Sequence, residues 1–293
     1  LNISYNITTL GLEDIRTIST YPLKVALHAL KMDDFFATKP DPNGDADDEC
    51  LPEQSDALKD YLHGRKRASE TAQALTRPVI ASQAPEDELS RLYAFLYDAL
   101  VELPSEHIPA VLDLIQAVEE LPEPDFTSIP ESQRPDDKLW KGLSDFATLW
   151  YDVSYKSGSW KMDAEISTGE KRDELRKDHV AKAIIEAQLV IRGLAGVPIG
   201  WGYEVVDDAL GSRASRILQD FEVPAAAEWL EICGRRFWQG AQEGEKSYVY
   251  EEGMSLEQWD KWEKRFEELQ GREGVVGSAA KKALDAMHKA TDD

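Results

Sequence analysis

Cysteine is nearly absent from this chain, which carries only Cys50 and Cys233 in 293 residues. Two distant thiols build no disulfide framework, and the expected compartment is reducing, intracellular and cytoplasmic. Positive charge is also scarce. Lys and Arg total 33 against 56 Asp and Glu, a formal net charge of −23. A body that acidic repels phosphate backbones and anionic lipid surfaces, so no nucleic acid is expected among its partners. No apolar run reaches the length of a membrane span, and no signal-peptide apolar core opens the sequence. A start at Leu1 is not a usual initiator end, which leaves room for an upstream segment. Asn2 and Asn6 head glycosylation sequons that would matter only if the chain were secreted.

Metal and cofactor signatures are missing too. His28, His63, His107, His179 and His288 are scattered, with no pair at the helical spacing of zinc ligands. Asp41, Asn43 and Asp45 imitate a calcium loop, but Ala46 replaces its glycine and Pro52 its terminal glutamate. That stretch reads as an acidic solvated loop. The pairs Asp136-Asp137 and Asp207-Asp208 lack the downstream acid needed to hold magnesium on a diphosphate, and no Asn follows Asn43. Gly211-Ser212 is not preceded by a strand, as a nucleophile elbow requires. Cys233 has Arg235 and Arg236 beside it, yet it shares a helix face with Trp229 and reads as a buried structural thiol. No cofactor is expected.

What is present is helix after helix. Hydrophobic residues make up 42% of the chain, enough for a sizeable core. Residues 86–102 place Leu89, Leu92, Tyr93, Leu96 and Leu100 on one face. Residues 105–121 do the same with Ile108, Val111, Leu112, Ile115 and Val118. Residues 10–37 read as mostly helical, and 55–63 and 67–82 as a helix pair with Gly64 as the stop. Residues 136–156 carry Leu139, Trp140, Leu143, Phe146 and Trp150 at helical spacing. Ser167 with Glu170 has capping-box spacing for a helix reaching about Leu194, and Ser255 with Gln258 for one reaching Leu269. Further helices are expected at 224–240 and 278–290. Residues 193–203, GLAGVPIGWGY, read as a Gly-rich turn, or as a lid hinged at Gly200 and Gly202 with Trp201 as its plug. The four prolines within residues 122–135 mark the clearest linker.

The expected fold class is therefore all-α, a multi-helix bundle or stacked helix pairs, with about ten helices. Residues 1–52 would hold an N-terminal helix and acidic loop. Residues 53–293 would form a single all-α domain, or two subdomains joined by 122–135.

Several segments together resemble a fungal helical family, the domain of unknown function 3632. They are YLHGRKRASETAQAL (61–75), KLWKGLSDFATLWYD (138–152), AAAEWLEICGRRFW (225–238), GMSLEQWDKWEKRFEEL (253–269) and AAKKALDAM (279–287). Each is a helix pattern plus, in most, a tryptophan; their order and spacing carry the resemblance, over roughly residues 55–290. The surroundings of Trp160 depart from the pattern, and the first fifty residues have no counterpart. The resemblance implies a fungal all-α protein and supplies no catalytic residue.

Eight tryptophans remain to be explained. Trp140, Trp150, Trp229, Trp259 and Trp262 fit helix faces and read first as core. The competing reading gathers them, with Trp201, around an interhelical cavity, to which Tyr151, Asp152, His179, Glu204 and Asp207 would supply polar groups. Such a cavity would bind a hydrophobic small molecule. It would suit a cofactor-independent cyclase or isomerase of fungal secondary metabolism, working mainly by preorganising its substrate. The alternative is a non-catalytic scaffold whose helix pairs offer a groove to another protein.

Overall fold

A computed structural model describes residues 30–40, 50–131, 134–135, 138–152, 159–211 and 218–292. Asn2, Asn6, His28, Asp41, Asn43, Asp45, Asp136-Asp137 and Ser212 lie outside the described residues. Among those described, the chain is all-α. It forms no strand, and its one β-type contact is an isolated bridge between Pro40 and Cys50.

Helix α1 covers residues 30–38. Helices α2 (Pro52–Leu62) and α3 (Ala68–Ala81) form the expected pair, and Gly64 between them takes a φ of +71°. Helix α4 (Pro85–Glu102) opens on a proline whose missing N–H costs nothing there. Glu86, Asp87 and Glu88 follow, facing the positive end of its dipole. After a short 3-10 turn comes α5 (Ile108–Glu119). The apolar faces of α4 and α5 bury as their periodicity predicts: Leu92, Leu96, Val111 and Ile115 are fully enclosed.

The helix expected over residues 136–156 is a correction. Only α6 (Phe146–Tyr151) is helical before residue 152, because Leu143 and Asp145 take positive φ values of 43° and 63°. The reason lies in the proline-rich stretch. The Glu123 carboxylate accepts backbone N–H groups from Leu139 at 2.9 Å and Lys141 at 2.9 Å, with Trp140 at 3.2 Å between them. A remote side chain thus satisfies donors that a helix would leave to solvent or to a local cap, and the segment folds as turns.

Helix α7 (Ser159–Ile166) was not expected from the Gly/Ser-rich sequence around it. Helix α8 (Gly169–Arg192) starts without the predicted capping box: Thr168 is its N-cap, and the buried Ser167 hydroxyl has no hydrogen-bond partner among the described residues. The Gly-rich turn ends at Ile199, and α9 (Gly200–Leu210) takes over the residues read as its far half. Helix α10 (Gln219–Glu243) begins five residues before the expected Pro224. Phe221 and Val223, both fully buried, hold the added turn against the hydrogen bond the proline removes. Helices α11 (Leu256–Leu269) and α12 (Val275–Thr291) complete the fold, and the Ser255 hydroxyl caps α11 by accepting the Gln258 N–H at 3.2 Å.

Helix α10 is the central strut, packed by α8, α9, α11 and α12. Two large apolar clusters result. One is built mainly on α2 to α6 and contains Trp140, Phe146 and Trp150. The other, around α10, contains Trp229, Trp259, Trp262 and Phe237. A third, small cluster joins Ala164 of α7 to Leu218 and Phe221. Val190 and Trp201 touch both large clusters and mark the seam.

Candidate functional site

The sequence of α9, GWGYEVVDDAL, divides cleanly by helical period. Gly202, Tyr203, Val206, Ala209 and Leu210 are buried toward α10. Trp201, Glu204, Val205 and Asp208 follow the i, i+3, i+4, i+7 spacing on the other face. That second face is the wall of a cleft. Helix α8 supplies His179 and Glu186 from one of its faces, seven residues apart. Helix α7 supplies Trp160 and Lys161, α10 supplies Glu222, and α6 supplies Tyr151. Together they enclose a cavity of about 140 Å³ at the seam between the clusters.

Several wall residues are held by neighbours. The Tyr248 hydroxyl donates to Glu204 Oε2 at 2.6 Å. Its ring passes so close to Gly200 that a Cβ there would lie 2.7 Å from it. Burial, reinforced by the Glu204 charge, raises the Tyr248 pKa well above its ordinary value, so the phenol stays a donor. The Trp150 indole donates to Glu186 Oε1 at 2.7 Å, and Glu186 is 1% exposed. Trp160 stacks on His179 at 4.3 Å, and Trp201 leans on Tyr151 at 5.6 Å with the rings tilted by 46°. The His179 side chain is 9% exposed. Its Nε2 faces Glu222 Oε2 at 3.7 Å and makes no hydrogen bond among the described residues.

The cleft is acidic. Among the described residues it sets the carboxylates of Glu186, Glu204, Asp208 and Glu222 against one ammonium, that of Lys161. Asp208 is the exposed member of the α9 face. The surrounding walls withdraw water from its carboxyl, the nearby charge of Glu222 adds to this, and its pKa rises above the ordinary 3.8 in spite of Lys161. An NMR titration of the Asp208 carboxyl is expected to show that raised midpoint. Lys161→Met raises it further and Glu222→Gln lowers it; a midpoint at the ordinary value in all three proteins would remove the electrostatic description. A carboxyl whose pKa is raised by folding favours the folded state below its ordinary value. That contribution is lost as the pH climbs through the raised value.

Of the residues singled out from sequence, Tyr151, His179, Trp201 and Glu204 meet at the cleft. Trp140, Trp150, Trp229, Trp259 and Trp262 do not. They are at most 2% exposed and fill two separate parts of the core, so the expected single aromatic cavity gives way to packed interior. Asp152 is outside the lining. Asp207 faces away from the cleft and accepts hydrogen bonds from Tyr250, Gln258 and Trp262. Gly200 and Gly202 are close-packing positions inside α9, not lid hinges, and Trp201 is a wall rather than a plug. Cys233 is a fully buried thiol: its Sγ donates to the Ala187 carbonyl at 3.3 Å, and burial pushes its pKa up to about 12. Cys50, expected in a solvated loop, is 1% exposed with its pKa likewise pushed up to about 12 by burial.

Sequence reasoning missed Trp160, Lys161, Glu186, Val205, Asp208 and Glu222. For Glu186 a signal existed: a lone carboxylate in the apolar run of Ala183, Ile184, Ile185, Ala187 and Leu189, of which Ala183, Ile185, Ala187 and Leu189 are buried in the structure.

Fold and cleft define an all-α protein with a small aromatic and acidic pocket at a helix seam. Its sequence matches the family described as protein of unknown function (DUF3632) over residues 93–266, and the chain belongs to that family. The matched span includes all ten residues that line the cleft. No curated protein and no solved structure matches the chain. None of the described helices is long and apolar enough to cross a membrane.

Proposed function

We propose that this protein binds a small organic molecule in the cleft between α6, α7, α8, α9 and α10. The observation that carries the reading is the second face of α9. Trp201, Glu204 and Val205 turn away from the core yet stay half-buried, and with the exposed Asp208 they share a cavity wall with His179 and Glu186. Mixed aromatic and polar walls around a concavity are the usual makeup of ligand sites between helices. The reaction such walls can serve is proton transfer coupled to isomerisation or ring closure, without a cofactor. Burial and the Glu222 charge raise the Asp208 pKa above its ordinary value, and His179 and Glu222 face each other 3.7 Å apart in the same cleft. Such chemistry would serve secondary metabolism in a fungal cell; the negative charge and the shortage of cysteine support a soluble protein acting in the cytoplasm.

Native mass spectrometry of the protein isolated from its own host tests the reading. A retained small-molecule adduct is expected, and Trp201→Ala is expected to lose it while keeping the far-UV circular dichroism of the parent. An adduct that survives Trp201→Ala and Glu204→Gln would place the ligand elsewhere. The scaffold reading has separate support in an open groove of about 640 Å³ where Val180, Ile184 and Ala227 face Val275 and Ala279. Val275 is 40% exposed there. A protein partner recovered from the same host, and released by Val275→Glu, would favour it.

A further inference from the structure

We infer that the cleft selects a small organic cation, an alkyl- or quaternary ammonium group, and this inference rests on the cleft being a ligand site. Three independent features point the same way. The first is the aromatic wall: Trp201 and Tyr151, with ring centroids 5.6 Å apart and planes tilted by 46°, both line the cavity, and aromatic rings attract a cation. Trp160 already shows the behaviour: the Lys161 ammonium lies 5.5 Å from its ring centroid.

The second is the distribution of negative charge. Glu204, Asp208 and Glu222 stand around the cavity rather than at one point. Among the described residues, no three His, Cys, Asp or Glu side chains come together closely enough to hold a metal ion. A compact divalent ion needs convergent oxygens at short range. A bulky organic cation spreads its charge over several carbon atoms and suits carboxylates placed apart on different walls. The net charge of −23 adds a long-range field that concentrates cations at the surface and repels anions.

The third is His179. A ring nitrogen that is buried and unbonded is costly unless something satisfies it. Its Nε2 lies 3.7 Å from Glu222 Oε2, too far for a good hydrogen bond between them. A donor carried by the cation, the N–H of an alkylammonium or the hydroxyl of choline, can satisfy the ring nitrogen there while the positive charge faces the Glu222 carboxylate.

Three probes of one shape and different charge test this. Choline is a cation, 3,3-dimethylbutan-1-ol its neutral counterpart, and 3,3-dimethylbutanoate an anion. Binding is read from the indole N–H resonances of Trp160 and Trp201 in the full chain, assigned with Trp160→Phe and Trp201→Phe. Choline is expected to shift both signals and to bind at least about tenfold more tightly than the alcohol. The carboxylate is expected to leave them unmoved. Glu204→Gln and Glu222→Gln, checked for parental melting temperature, are each expected to weaken choline severalfold. If the alcohol or the carboxylate shifts these signals as strongly as choline, the cleft remains a ligand site and the cation inference falls. If none of the three moves either indole at millimolar concentration, choline binding is refuted and the ligand reading of the cleft falls with it.

Discussion

Gly202→Ala lowers the free energy of unfolding by about 3 kcal/mol, and Gly202→Val leaves little folded protein at 25 °C, because α9 and α10 meet too closely there for any side chain. A Cβ at Gly202 would lie 2.4 Å from Phe237 Cζ and 2.6 Å from Trp229 Cε3. Those rings are fully buried and stacked, with centroids 6.1 Å apart and planes 17° apart. Neither has a flexible end to swing aside, and close-packed interiors transmit such a clash to the backbone. Alanine recovers up to about 1 kcal/mol of helix propensity, which valine does not. Gly271 is the control: nothing lies within 4 Å of its Cβ position, and Gly271→Ala should change stability by no more than about 0.5 kcal/mol. Urea unfolding followed by circular dichroism measures all three. A Gly202→Ala midpoint equal to the parent's would mean that the two helices part easily. The placement of Trp201 and Glu204 over α8 would then lose its physical basis, since the close approach at Gly202 is what orients that face.

The same glycine explains where sequence reasoning stopped. Glycine next to proline reads as a turn, and Gly200 and Gly202 were read so. In α9 they are instead the positions where Tyr248, Phe237 and Trp229 press against the helix. A glycine required by tertiary contact and one required by a turn look alike in a single sequence, so the wall of the cleft was hidden inside an expected loop. Elsewhere the helical period was legible because local burial decides it: Leu89, Leu92, Leu96, Val111 and Ile115 are all buried as their spacing predicts. Around residue 140 the two kinds of information separate. Leu139, Trp140, Leu143, Phe146 and Trp150 are all enclosed, as the pattern demands, but the first three are not helical. The backbone of residues 139–141 is fixed by Glu123, 16 to 18 residues earlier, through a contact that no local pattern announces. Four cleft residues were legible as polar or aromatic oddities. Asp208 and Glu222 were not, because acidic residues are so common in this chain that neither stands out.

Asp207→Ala costs about 4 kcal/mol of stability, the second large effect, because one carboxylate serves three donors from two other parts of the chain. The Tyr250 hydroxyl donates to Oδ2 at 2.5 Å. Trp262 Nε1 at 2.8 Å and Gln258 Nε2 at 3.1 Å donate to Oδ1. Trp262 is 1% exposed, so its stranded N–H finds no water; Tyr250 and Gln258 are partly buried and recover some. Losing hydrogen bonds to a charged acceptor costs about 1.5–3 kcal/mol each when the donors stay buried, and three on one acceptor add to less than their sum. Asp207→Asn keeps Oδ1 for the two nitrogen donors, while the Tyr250 hydroxyl can turn to accept from the new amide. Its cost is expected to be about 1 kcal/mol. Tyr250→Phe together with Asp207→Ala should cost clearly less than the sum of the two single changes. Asp207 also tethers α9 to the loop that carries Tyr248. In Asp207→Ala, hydrogen exchange should therefore quicken in α11 and α9 and stay unchanged in α3 and α4. Uniform acceleration would show global loosening instead. A loss under about 1 kcal/mol would show that water replaces the carboxylate, and that α9 is held in place by packing alone.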